Sequence, residues 1–146
     1  MEIIGIGCDH AGFELKEKLK NKLESDGFVI KDYGTNSLAS VDYPDIIHPL
    51  ASDINKGILK QAIIICGSGN GVAIAANKYT NVRAALCWNM EIAELARKHN
   101  DANIVSLPAR FITFDEAYNI IGIFFRTRFE GGRHSIRVEK IKNIIE

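Results

Sequence analysis

The sequence predicts an α/β fold, a three-layer α/β/α sandwich around a parallel sheet of about five strands, formed as a single domain over residues 1–146. Three observations lead there. Short apolar runs rich in β-branched residues recur along the chain. Between them lie longer segments whose apolar positions are spaced three and four apart among lysines and glutamates. The two kinds alternate, as parallel strands joined by crossover helices require. At 146 residues, 47% hydrophobic and 25% charged, the chain has the length and composition of one ordinary globular domain.

Each element follows from its own pattern. Ile3 to Cys8 is an apolar strand ending in Asp9-His10-Ala11-Gly12. Phe13 to Asp26 is an amphipathic helix with Phe13, Leu15, Leu19 and Leu23 on one face, closed by Gly27. Val29 to Tyr33 reads as a second strand and Gly34 to Pro44 as a loop. Asp45 to Lys56 is a helix that turns Ile46, Ile47, Leu50 and Ile54 inward. Ala62 to Cys66 is an uncharged run suited to a strand covered on both faces. Gly67, Gly69 and Gly71 then alternate with Ser68 and Asn70 ahead of a small-residue helix from Val72 to Lys78. Val82 to Trp88 gives a fourth strand, Met90 to Asn100 a helix and Ile104 to Leu107 a fifth strand. Thr113 caps a helix from Phe114 to Phe125, and Gly131-Gly132 precedes a last helix from about Ser135 to Glu146.

In such Rossmann-like sheets ligands bind beyond the carboxyl ends of the strands. Asp9-His10, Cys66 to Gly71 and Arg110 are therefore expected on one rim. The glycine turn offers bare N–H groups and a helix start with partial positive charge, a place for an anion or for charge that develops during a reaction. Cys66 there is either a small buried hydrophobe or a thiolate serving as base or nucleophile. Cys8 and Cys87 lie in apolar strands and read as core. Asp9 reads as a helix cap with His10 solvated beside it, and His48 as structural. His99 ends a polar helix, where an exposed capping role competes with a reach toward the rim of a neighbouring subunit. His134 stays open. Arg133 and Arg137 are four apart, so one helix face carries both, either solvated or as a phosphate clamp with Arg110.

Several classes are excluded. Lys plus Arg and Asp plus Glu balance at 18 each, which gives no basic field for nucleic acid. No apolar run approaches the ~18 residues of a membrane span, and no cleavable leader opens the chain. Three cysteines without CxxC spacing suit a reducing, cytoplasmic setting. The glycine spacing is too short for a dinucleotide fingerprint, no Lys-Ser or Lys-Thr follows it, and no local metal-ligand spacing occurs, although ligands can still converge in space. A non-catalytic phosphate- or nucleotide-sensing module remains a rival, since it needs only the glycine turn and the arginines.

Taken together, Gly7-Cys8-Asp9-His10-Ala11-Gly12, Asp42-Tyr43-Pro44, Cys66-Gly67-Ser68-Gly69-Asn70-Gly71 with Ala75-Ala76-Asn77-Lys78, Arg97 to Asn103, and Glu130-Gly131-Gly132-Arg133-His134 with Arg137 resemble the type B ribose-5-phosphate isomerases. The resemblance spans nearly the whole chain. It implies aldose–ketose isomerisation of a phosphosugar through a cis-enediolate, with no metal and no organic cofactor. It implies Cys66 as the base, Ser68 in support, His99 in ring opening and Asp9 at the sugar hydroxyls. The amides of Gly67, Ser68, Gly69, Asn70 and Gly71 would hold the enediolate. His10, Arg110, Arg133 and Arg137 would grip the phosphate, and Tyr43 and Asn100 would line the sugar. It further implies a homodimer with composite sites, the pairing of dimers left open, and the last helix at the subunit interface. A branch that replaces the cysteine by glycine uses a glutamate near the position of Val72, so Cys66 places this chain in the cysteine branch. Allose-6-phosphate and galactose-6-phosphate isomerases share the pattern and stay as alternatives.

Overall fold

The computed structural model describes residues 2–145. Five strands, β1 (Ile3–Cys8), β2 (Val29–Asp32), β3 (Gln61–Cys66), β4 (Ala84–Leu86) and β5 (Ile104–Pro108), form one sheet in the order β2-β1-β3-β5-β4, every pairing parallel. Six helices cover it: α1 (Phe13–Ser25), α2 (Tyr43–Asn55), α3 (Asn70–Ala76), α4 (Met90–Asn100), α5 (Phe114–Arg126) and α6 (Arg133–Lys140). This is the three-layer α/β/α architecture that the alternation of elements predicts.

The period-two alternation of side chains sorts the core into two layers. Ile63 and Ile65 of β3, with Ile4, Ile6 and Cys8 of β1, pack against Leu19 and Leu23 of α1, Ala93 and Ala96 of α4 and Ile120, Ile121 and Phe124 of α5. Ala62, Ile64 and Cys66 face the other way, onto Ile47, Leu50 and Ile54 of α2 and Val72 and Ala76 of α3. Ile63, Ile64 and Ile65 are all fully buried, each burial contributing about 1.5–3 kcal/mol, so β3 ties both layers together. On the α2 side β1 presents Gly5 and Gly7. A Cβ on Gly5 would lie 2.9 Å from Leu59 Cδ1, and one on Gly7 3.2 Å from Leu50 Cδ1.

Element ends depart from expectation for local reasons. α2 starts at Tyr43, because Pro44 fits the first turn of a helix, where no N–H is needed. β4 is the shorter Ala84–Leu86; at its start the Arg83 amide is taken by the Asn103 side chain at 2.8 Å. α6 runs from Arg133 to Lys140, earlier and shorter than the expected 135–146; Glu146 lies outside the described residues. Thr113 caps α5 with a full capping box closed by Glu116. Asp9 caps the 3₁₀ turn that leads into α1, its Oδ1 accepting from Ala11 and Gly12. Cys8 and Cys87 are fully buried, and burial pushes each thiol up to about 12, as core residues.

One buried charge stands out. Lys16 of α1 has no exposed side-chain surface, and its ammonium donates to both Asp32 oxygens at 2.9 Å and to the Thr35 carbonyl at 2.7 Å. Burial alone would raise the Asp32 carboxyl, but Lys16, the Gly34 amide and Lys20 outweigh it and hold the carboxyl below its usual 3.8. A carboxylate depressed in the folded state stabilises the protein above its unfolded pKa, and that contribution disappears as pH falls through the folded value. Stability is therefore expected to decline below about pH 4. Asp32→Asn, which strands Lys16, is expected to cost about 3 kcal/mol at pH 7 and to flatten this acid limb in thermal melts from pH 7 to 3.

Candidate active site

The strand order reverses direction between β1 and β3: β2 lies on one side of β1, while β3, β5 and β4 follow on the other. The chain leaving β1 enters α1 on one face and the chain leaving β3 enters α3 on the opposite face, which opens a crevice between the two carboxyl ends. Asp9 stands at one lip. Its backbone N–H donates to Ile65 O at 3.3 Å, and its side chain is largely buried. His10 follows, not simply solvated: its Nδ1 accepts from the Val41 amide at 3.2 Å, which fastens the loop between β2 and α2 to the rim.

The other lip is Cys66 to Gly71. The Gly69 N–H donates to Cys66 Sγ at 3.1 Å, aiming a backbone dipole at the sulfur, and the Asn70 N–H donates to Ser68 Oγ at 3.2 Å. The Gly67 and Ser68 amides have no partner among the described residues. Gly69 has φ +77°, and a Cβ there would sit 2.5 Å from Leu86 Cδ1, so glycine is required twice over. Its carbonyl accepts from the buried Ser106 hydroxyl at 2.7 Å, which holds the turn down on β5.

Two side chains close over this turn because its glycines are bare. The Tyr43 ring lies on Gly71, with Cζ 2.7 Å from where a Cβ would stand. The Arg110 guanidinium lies on Gly67, 3.1 Å from the corresponding position, while the Arg110 amide donates to Gly67 O and the Ala109 amide to Cys66 O. Cys66 pairs in register with Pro108, which fixes this placement. Leu86, Trp88, Pro108 and Phe111 wall a cleft of about 420 Å³ beside Ser68 and Asn70. Trp88 and Phe111 are 52% and 74% exposed.

His99, Asn100, Arg133 and Arg137 are elsewhere. α4 runs back against the strands, so its end sits at the amino edge of the sheet. There the Asn103 carbonyl accepts from the Ala62 amide, four residues before Cys66, about 13 Å along β3. Asp101, in the left-handed conformation, caps α4. Arg97 donates to Thr127 O, Ala102 O and the Asp101 carboxylate, and so binds the segment after α5 to this end. The Glu130 amide donates to Lys98 O at 3.1 Å, and Gly131 and Gly132, both at positive φ, fold the chain back into α6. His134 thereby stacks on His99, with ring centroids 4.3 Å apart and planes 14° apart, while the Glu130 carboxylate stands 3.7 Å from His99 and 3.6 Å from His134. Burial, then the nearby His99 and Arg133, keep the His134 imidazole below its ordinary range.

One chain therefore carries two separate groups. Asp9, His10, Tyr43, Cys66 to Gly71 and Arg110 meet at the carboxyl edge; His99, Asn100, Arg133 and Arg137 share the amino edge. The sequence reading places Glu130 and His134 in one motif but gives Glu130 no role and leaves His134 open, although their spacing of four across a double glycine is the signal that marks them. His48, read as structural, is an exposed residue whose Nδ1 lies 2.8 Å from the Tyr79 hydroxyl.

Comparison with known proteins gives one consistent answer. The family described as Ribose/Galactose Isomerase matches residues 4–141. The chain is 38% identical to ribose-5-phosphate isomerase B of Escherichia coli over 144 residues, covering 99% of this chain and 97% of the other. A ribose 5-phosphate isomerase from Thermotoga maritima superposes with a TM-score of 0.96 at 46% identity, over 98% of this chain and 99% of that one. Ribose-5-phosphate isomerase B from Mycoplasma genitalium, solved with bound ribulose-5-phosphate, gives 0.92 at 40% identity, over 97% and 94%. With a family match over nearly its whole length and relatives this similar end to end, the chain belongs to the ribose/galactose isomerase family.

Proposed function

We propose that this protein interconverts ribose 5-phosphate and ribulose 5-phosphate, with Cys66 as the base that carries the proton between C1 and C2. The observation that supports this most is the thiol at the carboxyl end of β3, held by the Gly69 amide beside two unpartnered amides of the same turn. Removing a proton next to a carbonyl places negative charge on oxygen. Fixed N–H donors stabilise it, at about 2.7–4 kcal/mol per donor in comparable oxyanion sites. Ser68 stands exposed at the same turn and supports the transfer. Asp9 and Tyr43 hold sugar hydroxyls, and Arg110 and His10 take the phosphate. A remote anion gripped in this way gives binding energy that orients the reacting carbons.

The reading needs a second copy of the chain. His99 opens the furanose ring in this proposal, Asn100 lines the sugar, and Arg133 and Arg137 complete the phosphate clamp, yet all four stand on the edge away from Cys66. A two-fold homodimer that sets the amino edge of one chain against the carboxyl edge of the other makes two whole sites. Exposed Ile74, Trp88 and Phe111 near one half, and exposed Ile136, Ile141 and Ile144 near the other, supply apolar surface for the contact, with α6 at the interface. A cytoplasmic setting fits the three free cysteines, and no helix among the described residues is long and apolar enough to cross a membrane.

Three measurements test this. Cys66→Ala is expected to lower kcat for ribose 5-phosphate by at least about a thousandfold with little change in melting temperature; retention of most turnover removes the thiol as base. Co-refolding inactive Cys66→Ala with inactive His99→Asn should restore about a quarter of wild-type activity, since half the dimers are mixed and each has one intact site. No recovery places both groups in one chain. Finally, kcat/KM for ribose 5-phosphate should exceed that for galactose 6-phosphate and allose 6-phosphate, and the reverse order assigns the protein to the hexose branch.

A further inference from the structure

We infer that His99, Glu130 and His134 form a binding site for a divalent transition-metal ion, zinc above all, at the amino edge of the sheet. Among the described residues this is the one group of three His, Cys, Asp or Glu side chains whose ligand atoms gather within 4.8 Å of one another. Two imidazoles and one carboxylate are a donor set that zinc favours, and imidazole serves copper and nickel as well. The distances are close to what is needed. Bonds of ~2.0–2.1 Å in a tetrahedral arrangement put neighbouring ligand atoms about 3.3 Å apart. The Glu130 oxygen is 3.7 Å from His99 Nε2 and 3.6 Å from His134 Nε2. A movement of a few tenths of an ångström therefore suffices for the carboxylate.

The rings must move more. Stacked 14° from parallel, they direct their Nε2 atoms side by side past the same carboxylate, and an ion shared between them requires the imidazoles to tilt toward each other. The surroundings allow this on one side only. His99 and Glu130 side chains are 40% and 51% exposed, whereas His134 is 12% exposed and serves as the fixed ligand. The backbone holds all three in place: Glu130 is pinned to Lys98 O, the His134 amide donates to Gly131 O at 3.1 Å, and Arg97 secures the segment before them. Arg133 and Arg137 on the same helix oppose a cation and favour one that is held by strong ligand bonds over one held by charge alone, so zinc, copper or nickel should bind and magnesium or calcium should not.

The ion is no part of the isomerisation proposed above. It occupies His99, and if His99 opens the sugar ring, as that reading has it, a bound ion inhibits. Protein stripped with a chelator is titrated with zinc chloride by calorimetry, and with cobalt(II) while the visible d–d bands are recorded. Wild type is expected to bind one ion per chain with a tetrahedral cobalt spectrum. His134→Asn and Glu130→Gln, which have no assigned role toward substrate themselves although both side chains adjoin His99, should weaken zinc by at least about tenfold while keeping melting temperature. Cys66→Ala should bind as wild type does. Unchanged affinity in both His134→Asn and Glu130→Gln, or loss of the ion in Cys66→Ala, overturns the site. Inhibition is a separate readout: zinc bound at the cluster with turnover untouched leaves the site standing and removes His99 from the reaction.

Discussion

Every strand of a parallel sheet delivers its chain to the same edge, and the switch between β1 and β3 is the constraint on which the rest of this molecule depends. Because α1 and α3 depart to opposite faces, the carboxyl ends of two adjacent strands are left uncovered, and a loop from each meets in the gap. The Asp9 amide bonded to Ile65 O links the two lips directly. Cys66, Ser68, Asp9 and His10 are thus brought together by strand pairing, with no long loop to order. The sulfur belongs to the apolar layer beneath α2 and α3 while its amide donor belongs to the turn above, so one residue lies at the boundary between core and site.

Holding that gap open takes rigidity behind it. The Lys16–Asp32 pair sits beneath the exit of β1, and its third bond, to the Thr35 carbonyl, steadies the loop that gives His10 its Val41 contact. A buried ammonium is costly to desolvate, and here it is satisfied by three oxygens from β2 and the loop after it. Its return is positional, since it sets where the loop starts on its way to Tyr43.

The fold was legible because local patterns and global architecture agree. Met90–Asn100 matches its periodicity from end to end, and Thr113 as a cap announces the start of α5 before the structure is seen. Ends governed by tertiary contacts were less readable: the Asn103 side chain accepts from the Arg83 amide just before β4 begins, and α6 starts at Arg133, directly after the positive-φ Gly131-Gly132 turn, and stops at Lys140. For the candidate site, the glycine turn was visible because it is contiguous in sequence. Its dependence on Leu86 under Gly69, Tyr43 on Gly71 and Arg110 on Gly67 was not, since each contact joins residues distant in the chain. The division of the candidate residues between two edges follows from the direction of α4, which the alternation of elements implies. The meeting of His99, Glu130 and His134 depends on the return path through Gly131 and Gly132, which it does not.

The bare backbone of β1 has a mechanical consequence. With Gly7 turned toward α2, that helix rests nearly on the strand itself, separated from it by the tips of Leu50 and Ile46, while Gly5 lies under Leu59 of the segment that follows the helix. Tyr43 stands at the head of the same helix. A single methyl added in the middle of the sheet would lift the whole rod and tip its aromatic end away from the glycine turn. That strand thereby acts as the fulcrum of a lever whose far arm is the ring resting on Gly71.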